Sequence, residues 1–168
     1  MEQLTRRQAL TIAAATYAAC ACCADAADEP GAENPPAGGG DKPKGPAPKE
    51  INIGKPGDFA KPGFYDKFRD SQIFVARIEN KLVAMSSRCT HKNCAVRLKD
   101  GSTTMLRCPC HKAEFAEHGQ PVSGPAKVAL PRFALKQNSD GTITVETTTS
   151  FAEKQWDDPA ASITIPAA

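Results

Sequence analysis

Six residues able to bind metal or carry redox chemistry are gathered into two short pieces, Cys89-Thr90-His91-Lys92-Asn93-Cys94 and Cys108-Pro109-Cys110-His111. The chain has only three histidines and seven cysteines, so two histidines and four cysteines in these pieces is a marked concentration. Each piece offers a cysteine, a histidine within three residues of it, and one further cysteine. Thiolate sulfur and imidazole nitrogen are ligands for the softer transition metals, so two such pieces could serve one shared centre. Zinc suits the spacing poorly. Structural zinc sites pair cysteines two to four residues apart and add histidines as a second pair, whereas here each piece mixes the two types. A nucleophilic Cys110 beside His111 would need a third, orienting group, and none is evident.

Two loops meet at one point only if strands hold their ends. From Ile51 the chain reads as short β-type runs broken by turn residues: "INIG", "QIFVARI", "KLVAMSS", "STTMLR", "KVALPRFAL" and "TITVET". Glu79-Asn80-Lys81 and Ser139-Asp140-Gly141 are predicted hairpin turns. Each cysteine–histidine piece directly follows a predicted strand, and no long helical period occurs between 51 and 150. An all-β sandwich is expected.

The two ends read differently. Residues 1–26 carry paired Arg6 and Arg7, an apolar stretch from Leu10 to Ala24 and small residues after it, the plan of an export signal. Thr5-Arg6-Arg7-Gln8-Ala9-Leu10 resembles a twin-arginine signal, and Ala18-Ala19-Cys20 is similar to a lipoprotein cleavage box. The apolar stretch is shorter than the ~20 residues that span a bilayer. Residues 27–50 are rich in Pro and Gly and poor in large apolar side chains, which predicts a disordered linker. Residues 151–168 form a C-terminal extension with the single tryptophan, Trp156, expected to cover a core edge. The 21 basic and 19 acidic residues of the 168 are dispersed, which gives no nucleic-acid footprint.

The pattern C-x-H-x16-C-x-x-H formed by Cys89, His91, Cys108 and His111 resembles the signature of the Rieske iron–sulfur family. The resemblance covers 51 to about 150, and Gly124-Pro125 in "SGPAKVALPRFAL" is similar to the family's Gly-Pro loop. It implies a Rieske-type antiparallel β-sandwich with a cluster-binding subdomain formed by two loops. It also implies one [2Fe-2S] cluster, with Cys89 and Cys108 on one iron and His91 and His111 on the other. As in the disulfide-containing, high-potential members, Cys94 and Cys110 would be bonded, which suits an oxidising compartment.

The chain departs from the family's quinol-oxidising members at named places. Their first loop reads Cys-Thr-His-Leu-Gly-Cys, where Lys92 and Asn93 stand here; their second continues His-Gly-Ser-x-Tyr, where Lys112, Ala113 and Phe115 stand here. Lys92, Lys112, Ala113, Phe115 and Pro125 are therefore expected to tune the cluster. The function implied is an exported one-electron transfer protein or electron-transfer subunit, not catalytic alone. It would pass electrons between a periplasmic oxidoreductase and a cytochrome-type partner, in the periplasm or at the outer face of the cytoplasmic membrane. Contact with the membrane would come only through a lipid anchor or an uncleaved signal. The small Rieske subunit of arsenite oxidase is a similar exported arrangement. The alternative is the Rieske subunit of a quinol:cytochrome c reductase, which needs a retained membrane helix.

Overall fold

The structure is a computed structural model that describes residues 45–165. The expected export signal over 1–26, the linker up to residue 44 and residues 166–168 lie outside the described residues. The strands are β1 (Glu50–Gly54), β2 (Gly63–Tyr65), β3 (Ile73–Ile78), β4 (Lys81–Ser86), β5 (Arg97–Leu98), β6 (Leu106–Arg107), β7 (Glu114–Phe115), β8 (Pro121–Ser123), β9 (Arg132–Gln137), β10 (Ile143–Phe151) and β11 (Ile163–Thr164). Apart from short 3-10 turns, no helix occurs among the described residues, and none there could cross a membrane. The fold is all-β, as expected.

A seven-stranded antiparallel sheet has the order β1-β10-β9-β4-β3-β2, with β11 added beside β4; a second, four-stranded sheet runs β5-β6-β7-β8. Side chains alternate across a strand, and in β3 and β4 both faces are buried. Ile73, Val75, Leu82 and Ala84 enter one core with Ile53, Leu135, Ile143 and Val145, as the large sheet curls on itself. Phe74, Ala76, Val83 and Met85 enter another with Leu106 and Phe115 from the small sheet. The apolar run Ile73–Ala76 of β3 is what a strand buried on both sides needs, and the buried Arg77 that follows donates to the Phe59 carbonyl at 2.9 Å.

The predicted turns are present. Glu79 and Asn80 link β3 to β4 with Glu79 at φ 55°. At the other, Gly141 has φ 81°, a region that glycine enters without steric cost. The Asp140 carboxylate there accepts from the Thr142 amide at 2.9 Å and its hydroxyl at 2.7 Å, which holds its pKa below the ordinary value.

Three boundaries differ from expectation. "KVALPRFAL" is not one strand: β9 begins only at Arg132, after Pro131, which has no N–H to donate to a ladder. "STTMLR" contributes only Leu106–Arg107, because Ser102 turns back on Lys99 through its amide at 2.9 Å. The C-terminal extension, as far as it is described, is built into the domain. β10 runs on to Phe151, and β11 pairs Ile163 with Leu82 on the edge of β4 that β9 occupies further along. Trp156 packs with Ala134, Phe151 and Ala161, 4.1 Å from the Arg132 guanidinium. At the other end, the Gly45 carbonyl, within the expected linker, accepts from Gln72 Nε2 at 2.7 Å and Arg88 Nη2 at 3.1 Å.

Candidate metal centre

The first loop leaves β4 and re-enters the fold through a bridge between Arg88 and Ala95, ahead of β5. The second joins β6 to β7. Their backbones close in the same way. The Cys89 amide donates to the Cys94 carbonyl at 2.9 Å and the Asn93 amide to the Cys89 carbonyl at 2.9 Å. In the second loop Cys108 donates to Ala113 at 2.7 Å and Lys112 to Cys108 at 3.0 Å. Cys89 thus corresponds to Cys108, Asn93 to Lys112 and Cys94 to Ala113. Asn93 and Lys112 both lie in the left-handed region, at φ 55° and 57°.

These closures sink the two leading cysteines. Cys89 and Cys108 are each 1% exposed and belong to the core shared by the two sheets. The His91 and His111 rings lie 4.7 Å apart, edge to face, and His111 is exposed. Cys94 and Cys110 are joined by a disulfide with their Cα atoms 6.5 Å apart, the pairing that the resemblance implied. The sulfurs of Cys94, Cys108 and Cys110 lie within 4.8 Å of one another. Two of them are bonded to each other, so this trio is a cross-link laid against Cys108 and not a three-thiolate ligand set.

The electrostatics suit a metal. Burial raises the Cys89 thiol pKa, with Cys108 adding to it, while the amides of His91 and Lys92 donate to the sulfur and act the other way. A thiol kept protonated by burial releases its proton when a metal takes its place. Burial lowers the His91 pKa, and the charges of His111 and Lys92 lower it further, which favours the neutral imidazole that metals bind. His91 Nδ1 is buried without a hydrogen-bond partner. Such an orphaned nitrogen, two residues along the loop from the buried Cys89, fits an iron–sulfur centre.

A third loop, 124–128, closes the site. A Cβ at Gly124, whose φ is 85°, would lie 2.6 Å from Ala113 Cα, so only glycine allows this approach to the second loop. The Thr90 hydroxyl donates to the Val128 carbonyl at 2.7 Å and ties the third loop to the first. Of the residues expected to tune the centre, Ala113 and Phe115 are fully buried, Pro125 is partly buried, and Lys92 and Lys112 are exposed. The Thr90–Val128 bond and the left-handed Asn93 and Lys112 were not anticipated. The glycines that the family carries at those two places were the signal for them.

A family model, the Rieske [2Fe-2S] domain, matches residues 51–134, half of the chain. With this site on this fold, the chain belongs to the Rieske family of [2Fe-2S] proteins. Over 79 residues it is 35% identical to the cytochrome b6-f complex iron-sulfur subunit of Chlorobaculum tepidum, covering 47% of this chain and 42% of that subunit. Over 65 residues it is 43% identical to the carotenoid phi-ring synthase of the same organism, covering 39% of this chain and 10% of that protein. Among solved structures it is similar to the plasma-membrane Rieske protein of the cyanobacterium Synechocystis, at 26% identity and a TM-score of 0.42, covering 58% of this chain and 99% of that one. The chain spans less than half the length of these two curated relatives.

Proposed function

We propose that this chain is an exported one-electron transfer protein, or the electron-transfer subunit of a larger oxidoreductase, that works between a periplasmic oxidoreductase and a cytochrome-type partner. Cys89 and Cys108 hold one iron of the cluster, and His91 and His111 the other. The observation that carries this reading is the pair of equivalent loops, with two buried cysteines behind two histidines whose rings lie 4.7 Å apart. The cluster, when bound, takes up one electron and gives it back.

The chain's own residues divide the work. The amides of His91 and Lys92, directed at the Cys89 sulfur, favour added negative charge there. The Cys94–Cys110 disulfide holds the two loops together and covers Cys108. His111, exposed, forms with His91 the edge through which an electron enters and leaves. Ala113 and Phe115 bring no hydroxyl to the centre, which places its potential below that of relatives with serine and tyrosine there. The disulfide and the twin-arginine resemblance both support export of a chain already folded around its cofactor.

The purified protein should be coloured, with two irons and two sulfides per chain, and should show a rhombic electron paramagnetic resonance signal on one-electron reduction. Stoichiometric zinc with no visible absorbance would refute it. The names of the cytochrome-complex relatives keep a quinol:cytochrome c reductase subunit as the second reading. Mass analysis of the exported N-terminus separates the two, since that reading requires a retained membrane segment.

A further inference from the structure

Each of the three loops around the histidine pair carries one exposed lysine: Lys92, Lys112 and Lys127. None of the three has an ion pair or side-chain hydrogen bond among the described residues. No aspartate or glutamate occurs in 88–98, 108–113 or 121–139. Of the carboxylates next along the chain, Glu114 is paired with Lys99 at 3.2 Å and Arg107 at 3.8 Å, Glu117 lies 3.6 Å from the His118 ring, Asp140 accepts from Thr142, and Asp100 is exposed in the turn after β5. The same face carries Val128, 63% exposed, held beside the first loop by the Thr90 bond; Val122 is the one other large apolar side chain so exposed among the described residues.

Uncompensated like charge around a small apolar spot is costly to an isolated domain and useful to one that docks, because it steers an oppositely charged surface before contact. We propose that this face is the docking surface for an acidic redox protein, one whose own electron-transfer edge is ringed by aspartate and glutamate and which covers Val128 at the centre of the contact. The inference rests on the reading of His91 and His111 as the electron-transfer edge and adds the chemistry of the partner. Surface lysines with no carboxylate to hold them move little charge into the fold. Their energetic effect falls on association, where it depends on ionic strength.

A carboxylate-terminated monolayer on gold serves as the acidic surface, with an ammonium-terminated monolayer as its opposite. The cluster-loaded chain is first shown in solution to be coloured and reducible by dithionite; without that, the electron-transfer reading itself fails. Voltammetry should then show an interfacial electron-transfer rate about tenfold or more higher on carboxylate than on ammonium, with the preference shrinking as salt is added. The triple variant Lys92→Glu/Lys112→Glu/Lys127→Glu should lose that preference. Its control, Lys61→Glu/Lys81→Glu/Lys136→Glu, makes the same change of net charge on exposed lysines near the end of the large sheet that bears the 79–80 and 138–142 turns. The control should stay within about twofold of the wild type, since only local charge steers docking. If the Lys112 change costs the cluster, Lys92→Glu/Lys127→Glu takes its place, with Lys61→Glu/Lys136→Glu as its control of equal charge change. Equal rates on the two monolayers, or equal losses in loop and control variants, would overturn the docking proposal while leaving the cluster reading intact.

Discussion

The two loops of the metal centre share a backbone and differ in almost everything attached to it. Both bury their leading cysteine and close through the same pair of amide–carbonyl bonds. The first ends that closure with Cys94, which is buried and cross-linked; the second ends it with Ala113 and carries its cross-linking Cys110 on the exposed side of the loop. The histidine comes two residues after its cysteine in the first loop and three after it in the second, and the two rings meet edge to face instead of stacking. Sulfur position is therefore a backbone property, set twice, whereas access, strain and cross-linking are side-chain properties, set separately for each loop.

Cutting the cross-link tests this division most severely. A disulfide spanning 16 positions constrains the unfolded chain by about 3 kcal/mol. Cys110→Ser should lower the urea midpoint for loss of the visible absorbance accordingly, and Cys94→Ser should lower it further, because it leaves a hydroxyl in the core. Equal losses would mean that the difference in burial has no energetic weight. Gly124→Ala comes next. With its Cβ against the Ala113 backbone, it should destabilise the second loop by about 2 kcal/mol, and in hydrogen exchange the Cys108 and Lys112 amides should lose protection before those of Cys89 and Asn93.

Strain gives a smaller contrast. Lysine in the left-handed region costs about 1 kcal/mol, whereas asparagine tolerates that region well. Lys112→Gly should accordingly raise the unfolding midpoint more than Asn93→Gly does, and the reverse order would break the equivalence of the two positions. The smallest expected effect is electronic. Ala113→Ser adds a donor at the buried position equivalent to Cys94; a hydrogen bond to sulfur worth about 1 kcal/mol more in the reduced state would raise the midpoint potential by roughly 40 mV. Film voltammetry at neutral pH showing no rise, with iron content unchanged, would remove the hydrogen-bond account.

The all-β fold and the two cysteine–histidine loops are legible in the sequence, whereas the contrast between the loops is not. Ligand types and spacing draw attention to two loops of six candidate residues, and the resemblance of C-x-H-x16-C-x-x-H to the Rieske signature is what implies Cys89, His91, Cys108 and His111 as the ligands among them. β3, β4 and β10 announce themselves through β-branched and apolar runs between turn residues, and Glu79-Asn80 and Asp140-Gly141 through turn chemistry. Three features were not legible, each for a reason. Pro131 splits "KVALPRFAL" because a ladder needs an amide hydrogen, a requirement that hydrophobicity alone does not reveal. The "SITI" tail reads as a short β-type run, but its partner is not legible, because β4 is about eighty positions away and short strands draw their stability from the pairing more than from themselves. The hold of Gln72 and Arg88 on Gly45 joins three polar or backbone groups with no pattern in common.

That last contact has a mechanical consequence. The chain enters the domain at Gly45, ahead of the first strand, and its carbonyl is gripped by Arg88, the residue directly before Cys89. Gln72 braces the grip from behind, accepting from Arg88 Nε while donating to the same carbonyl. Tension arriving along the backbone from the N-terminal side therefore meets this pin before it can peel β1 from β10, and part of the load passes to the base of the first loop. The start of the described chain and the redox centre are thereby neighbours in the chain of forces, although 43 positions separate Gly45 from Arg88 in sequence.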